Sequence, residues 1–179
     1  MTETKILISG FGGQGLMSLG KILAKAALLE NRYTSWFPSY GPEMRGGTAH
    51  CFVKISNSPI GSPFIDEPDI AIILNQLSLE KFKKQLKSKS LLILNSDLTR
   101  SNFHSQGIKV ISLPLNRIAL ECGNIKVVNI IALGIFFEVK KNFFKRETIV
   151  KVLKDTFAQG EILEANLKAF GLGIEAVSR

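Results

Sequence analysis

Two segments of the chain carry residue types that could do chemistry. The first is Gly10-Phe11-Gly12-Gly13-Gln14-Gly15. It follows the short apolar run Lys5–Ser9, and from Gln14 to Glu30 the residues Leu16, Leu19, Leu23 and Ala26 or Ala27 recur at helical spacing. The pattern is G-x-G-x-x-G between a strand and a helix, the place where dinucleotide-binding turns carry it. Glycines there let the backbone turn tightly and approach a pyrophosphate, whose charge sits on the helix N-terminus. The second half of that fingerprint is missing. An acid should end the second strand and hold the ribose hydroxyl, but Phe37 and Pro38 stand there, and Glu30 falls at the end of the helix. The turn alone therefore fits a close-packed bend as well as a nucleotide site. Gly10, Gly12 and Gly15 are expected to serve the bend and the close approach of the helix.

The second segment is Pro38-Ser39-Tyr40-Gly41-Pro42-Glu43-Met44-Arg45-Gly46-Gly47-Thr48. Its prolines and glycines exclude regular structure from Pro38 to Gly47. It follows the second strand, Tyr33–Phe37, so it belongs at the carboxyl edge of the sheet beside the glycine turn, where open α/β sheets place ligands. Glu43 has no partner carboxylate nearby in sequence. Arg45, followed by Gly46 and Gly47, suits a clamp on an anion or on main-chain carbonyls. Taken alone, the segment reads equally as an ordered structural loop or as a binding loop.

What is missing narrows the chemistry. Cys51 and Cys122 are the only cysteines, too few for an iron–sulfur cluster with its four ligands or for a disulfide scaffold. His50 and His104 have no metal-ligand spacing around them. His50 and Cys51 are neighbours on a strand and so project to opposite faces, which makes a poor nucleophile pair. No paired acid and base emerges. No metal site is expected, no catalytic residue is assigned, and redox chemistry would need its electron carrier on another chain.

The positioning elements follow from the rest of the pattern. With 179 residues, 45% hydrophobic and 21% charged, the chain is neither disordered nor fibrous, and one domain over residues 1–179 is expected. Further strands are expected at Thr48–Ile55, Ile70–Leu74, Leu91–Leu94 and Val110–Leu113. Helices are expected at Leu77–Lys87, Leu115–Glu121, Val127–Phe137, Lys145–Phe157 and Ile162–Phe170. The opening reads as a βαβ unit with Asn31 closing its helix. The alternation implies a three-layer α/β/α domain with a Rossmann-like, mostly parallel sheet, mixed by one antiparallel pair around Thr48–Ile55. The net charge is +8, with −1 over residues 1–80 and +9 beyond. That suits a solvated lysine-rich surface or an acidic or phosphate-bearing partner. Nucleic acid is not expected, since arginine is scarce and Lys81-Phe82-Lys83-Lys84 reads as an amphipathic helix. The apolar stretch Val127–Phe137 falls short of the roughly 20 residues that span a bilayer, and the N-terminus has no secretory pattern. A cytoplasmic protein without a membrane partner is expected.

Together the two segments resemble the γ subunit of 2-oxoacid:ferredoxin oxidoreductases, the same unit as the third domain of fused pyruvate:ferredoxin oxidoreductases. Pro68-Asp69 leading to Asn75-Gln76, Asn129-Ile130-Ile131-Ala132-Leu133-Gly134, and the helix Glu164–Phe170 continue the resemblance along the whole chain. It implies an accessory subunit of an enzyme that oxidatively decarboxylates a 2-oxoacid to its acyl-coenzyme A. Thiamine pyrophosphate and the iron–sulfur clusters are implied on α, β and ferredoxin-like δ partner subunits, coenzyme A as cosubstrate, and ferredoxin or a similar protein as acceptor. This chain by itself would bind no cofactor and be inactive alone. The two segments look most like the 2-oxoglutarate branch, with branched-chain 2-oxoacids and then pyruvate as alternatives. The implied cofactor-binding or interface residues are Gly10, Gly12, Gly13, Gln14, Gly15, Ser39, Tyr40, Gly41, Glu43, Arg45, Gly46 and Gly47. A stand-alone nucleotide-binding module using the glycine turn, or a purely structural subunit, is the reading from another class.

Overall fold

A computed structural model describes residues 3–39, 48–100, 103 and 106–178. Six strands form one sheet in the order β2-β3-β1-β4-β5-β6. They are β1 (Thr4–Phe11), β2 (Tyr33–Ser39), β3 (Thr48–Ser56), β4 (Ile70–Ile73), β5 (Leu91–Asn95) and β6 (Lys109–Leu113). β1, β4, β5 and β6 run parallel, which agrees with the expected mostly parallel sheet. The helices are α1 (Leu16–Leu29), α2 (Gln76–Phe82), α3 (Leu115–Glu121), α4 (Val128–Val139), α5 (Arg146–Thr156) and α6 (Glu161–Ser178).

The opening differs from a simple βαβ unit. β1 and β2 are not neighbours: β3 lies between them and is antiparallel to both, so there are two antiparallel pairings where one was expected. Side-chain chemistry explains the swap. β3 can bury both faces, with Ala49, Cys51, Val53 and Ile55 on one side and Phe52 on the other. β2 offers only half-buried and exposed residues, so it takes the edge.

The two outer layers are unequal. One face of the sheet, carrying Ile6, Ile8, Ile70, Ile72 and Ile93, packs against α1 and α3 to α6. The other, carrying Leu7, Ala71, Ile73, Leu92 and Leu94, is covered by Leu79 and Phe82 of α2, by Leu86 after it, and by Ile65. α2 is shorter than expected because its last turn tightens into a 3₁₀ turn over Lys83–Gln85. α6 is longer than expected. The helix was expected to end at Phe170, yet it runs on through Gly171 and Gly173, and Gly173 is buried where α6 crosses α4. α1 ends as expected at Asn31, which takes the left-handed conformation at φ 55°. The N–H of Asn31 donates to the carbonyl of Leu28 and that of Arg32 to the carbonyl of Ala27, a Schellman closure. No helix among the described residues is long and apolar enough to cross a membrane.

Candidate functional site

The carboxyl ends of β1, β4, β5 and β6 lie along one edge of the sheet. The chain leaves β1 toward α1 on one face and leaves β4 toward α2 on the other. The crevice between adjacent parallel strands whose connections part in this way is the usual ligand position of an open α/β sheet. The glycine turn forms one wall of it.

That turn is held by its own glutamine. The N–H of Phe11 donates to Oε1 of Gln14 over 2.7 Å, and the N–H of Gln14 to the carbonyl of Phe11 over 3.3 Å. The glycines serve different ends. A Cβ on Gly10 would collide with Oε1 of Gln14 and lie 3.0 Å from Cβ of Leu74, so Gly10 makes room for the neighbouring strand. Gly15, at φ 72°, caps α1, and a Cβ there would lie 2.6 Å from Cγ of Asn129. Gly13 is left-handed at φ 88°, yet a Cβ on it would meet no described residue within 4 Å. Gly12 was expected to share the bend with Gly10 and Gly15, but the left-handed positions fall on Gly13 and Gly15. A cavity of about 280 Å³ opens beside the turn, lined by Phe11, Gly12, Gly13, Met17 and Ala49 among others.

Register places the second segment beside the first. Ser39 ends β2 opposite His50, and Thr48 begins β3 opposite Phe11 of the turn. The stems of the connection thus flank the glycines, in agreement with the expected position at the carboxyl edge. Tyr40, Gly41, Glu43, Arg45, Gly46 and Gly47 themselves lie outside the described residues.

Three buried asparagines complete the edge, and residue chemistry alone did not single them out. Nδ2 of Asn129, near the start of α4, donates to the carbonyl of Gly15 over 3.1 Å and ties the turn to a helix more than a hundred residues away. Asn75 follows β4 and caps α2, its Oδ1 accepting from the N–H of Ser78 over 2.8 Å. Its Nδ2 and the Ser78 hydroxyl are buried and make no hydrogen bond among the described residues. Asn95 ends β5 at 0% exposure. Its Nδ2 donates to the carbonyl of Leu74 and to Oδ1 of Asn116, and its Oδ1 accepts from the N–H groups of Asp97 and Leu115. The available signal was an asparagine closing an apolar run after Leu74 and after Leu94. A buried amide at a strand end must find partners, so it organises the loops around it.

Cys51 and His50 do project to opposite faces. The Cys51 thiol is buried under α1, its Sγ donating to the carbonyl of Leu16 over 3.6 Å, and burial pushes its pKa up to about 12. It is a protonated core thiol at neutral pH and not a nucleophile. The His50 ring packs on the rings of Phe52 and Phe82 at 5.3 and 5.0 Å. Among the described residues no group of three or more His, Cys, Asp or Glu side chains could hold a metal. The crevice thus offers backbone N–H groups, amides and hydroxyls. It can bind and position a ligand or a neighbouring chain.

The family model described as pyruvate ferredoxin/flavodoxin oxidoreductase matches residues 5–176. The ketoisovalerate oxidoreductase subunit VorA of Methanothermobacter thermautotrophicus is 37% identical over 97% of this chain, which spans 36% of that protein's length. The chain therefore covers about a third of that relative. The 2-oxoglutarate synthase subunit KorC of Methanocaldococcus jannaschii is 35% identical over 96% of this chain and 92% of its own. Among solved structures, the γ subunit of a keto/oxoacid ferredoxin oxidoreductase from Geobacter sulfurreducens superposes with a TM-score of 0.87 at 28% identity, over 99% of this chain and 98% of that one.

Proposed function

We propose that this chain, which belongs to the pyruvate ferredoxin/flavodoxin oxidoreductase family, is the γ subunit of a multi-subunit 2-oxoacid:ferredoxin oxidoreductase, acting as one domain over its whole length. The observation that carries this reading is the end-to-end likeness to the solved γ subunit of a keto/oxoacid ferredoxin oxidoreductase, 98% of which this chain covers. In the proposed complex the subunit makes no bond itself. It shapes the active site and the path of coenzyme A. Thiamine pyrophosphate and the iron–sulfur clusters belong to α, β and ferredoxin-like δ partners, and ferredoxin or a similar cytoplasmic protein takes the electrons. The excess positive charge beyond residue 80 favours acidic surfaces on those partners.

The glycine turn and the Ser39–Gly47 segment are the proposed contact with cofactor or partner. Among the described residues nothing crowds position 13, and in the proposed complex a neighbouring chain or coenzyme A approaches the turn there. Arg45 is the proposed anchor of the second segment. Arg45→Ala should leave the melting of the isolated chain unchanged and weaken assembly or raise KM for coenzyme A. A normal complex with normal kinetics refutes that role.

The proposed substrate is 2-oxoglutarate, and the KorC likeness over nearly the full length of both chains supports it. A branched-chain 2-oxoacid is the second reading, favoured by the 37% identity to the ketoisovalerate subunit. Co-expression with the genes beside it tests both. The expected result is co-purification with a thiamine-dependent αβ pair and reduction of a viologen dye that requires coenzyme A and one of the two acids. Purification of the chain free of any such pair overturns the assignment, as does turnover by the chain alone.

A further inference from the structure

A second cleft lies on the α2 side of the sheet, away from the glycine turn. It opens over the carboxyl ends of β4 and β5, with α2 and the following 3₁₀ turn on one side and Ser96, Thr99, Arg100 and Phe103 on the other. Its volume is about 590 Å³, within the range of about 300–1,000 Å³ usual for small-molecule sites. Gln76, Lys83, Ser96, Arg100, Leu79 and Phe103 supply the lining used below.

The walls are held before any ligand arrives. The carbonyl of Asn95 accepts from the hydroxyl of Thr99 over 2.8 Å and from the N–H of Leu98 over 3.2 Å. The N–H of Gln76 donates to the carbonyl of Leu98 over 2.9 Å, and Oε1 of Gln76 accepts from the N–H of Arg100 over 2.8 Å. The backbone that carries Arg100 is therefore pinned to the start of α2.

The charges in the cleft are unequal. Glu80 accepts from the Lys83 ammonium and, over 2.8 Å, from Nε2 of Gln76. The Lys83 hydrogen bond foremost holds its carboxyl below the usual carboxylate range, with Arg100 adding a smaller Coulomb contribution. The acid is thus already served by Lys83 and Gln76. Arg100 has no ion pair within 4.0 Å among the described residues. Ser96 lines the same cleft, and Leu79 and the Phe103 ring supply an apolar wall. A guanidinium whose fork makes no ion pair among the described residues, in a cleft that a hydroxyl also lines, suits a phosphate, and an aromatic–aliphatic wall suits a planar base.

We propose that this cleft binds a nucleoside phosphate, with the phosphate on Arg100 and Ser96 and the base against Phe103 and Leu79. The inference goes beyond the γ-subunit reading and does not rest on it. The same chemistry is presented by a free nucleotide and by the phosphorylated adenosine of coenzyme A. Calorimetric titration of the full chain with ADP should show one saturable site. Arg100→Ala should weaken it about tenfold or more, with the melting temperature unchanged. Arg100→Lys should restore part of the affinity, and Ser96→Phe, which fills the cleft, should abolish it. Displacement of ADP by coenzyme A assigns the site to the cosubstrate's adenosine, and displacement only by free nucleotides assigns it to these. Both results support the cleft. Absence of saturable binding of either compound below about 1 mM overturns the proposal. So does unchanged affinity in Arg100→Ala, or loss of binding only when the glycine turn is altered by Gly13→Val.

Discussion

The glycine turn and the crossing of α4 with α6 both depend on glycine, for opposite reasons. At the crossing, Gly134 and Gly173 face each other backbone to backbone. A Cβ on Gly134 would strike the carbonyl of Phe170 and lie 2.9 Å from Cα of Gly173, and one on Gly173 would strike the carbonyl of Ile131. No left-handed angle is involved at either position. Here glycine is a matter of volume between two helices. In the turn, Gly13 has the left-handed angle and no described residue within 4 Å of where its Cβ would stand. Crowding on every side marks a residue that serves its own fold. Where no described atom crowds a left-handed glycine, the backbone angle alone, and not volume, is its reason in the described fold.

The sharpest test of the contrast is Gly134→Ala. Overpacking in a rigid core costs about 1–3 kcal/mol and sometimes more, and two backbones cannot yield as a flexible side chain can. A loss of about 3 kcal/mol in urea unfolding is expected. A loss below about 1 kcal/mol would mean that the helices separate easily and that volume is not the reason for glycine there. Asn129→Ala comes next, because that amide joins the two regions. It leaves the Gly15 carbonyl without a side-chain donor, and a loss of about 1–2 kcal/mol is expected. The variant should also loosen the turn, seen as faster amide exchange at Leu16 to Ser18 with little change in α6. Equal exchange in both regions would break the proposed link.

Gly13→Ala should cost the isolated chain only about 1 kcal/mol, the conformational penalty alone. If the space before it is an interface, assembly with αβ partners should fall much further than stability. Equal losses in the two measurements would remove the distinction drawn between the regions. The smallest effect concerns Cys51, which lies under α1 at Gly20, where a Cβ would fall 2.8 Å from its Sγ. Burial raises this thiol from an ordinary 9.0 to about 12. Below the lower value both folded and unfolded chains keep the proton. Above it the unfolded chain ionises first, so stability falls as pH rises toward the upper value. The expected loss is about 0.8 kcal/mol near pH 9.5. The stability difference between the native chain and Cys51→Ala should shrink by that amount between about pH 8 and 9.5. A difference independent of pH would show that Cys51 ionises alike in both states.

Much of this molecule was legible in local pattern. The strand over Ile70–Ile73 and helix α3 over Leu115–Glu121 follow from apolar runs and helical spacing, and the Asn31 closure from a residue type that tolerates the left-handed region. The placing of the second segment beside the glycine turn followed from strand direction alone, and its stems Ser39 and Thr48 lie there. The residues that hold the edge together were harder to find. Asn95 and Asn129 are single asparagines in apolar surroundings, and their meaning depends on partners 20 or more positions away.

The sequence by itself determined the α/β class, the glycine turn at the end of the first strand, and the family, because each is read from short local patterns taken in their order along the chain. Tertiary structure decided that β3 sits between β1 and β2, since only comparison of the buried faces of both strands shows which belongs inside. It decided which glycines of the turn bend it, because the left-handed angles fell to Gly13 and Gly15 once Gln14 had folded back onto Phe11. It also carried α6 through Gly171 and Gly173. A glycine weakens a helix locally by about 1 kcal/mol, but the close packing of α4 against α6, which needs a residue without a side chain there, outweighs that cost.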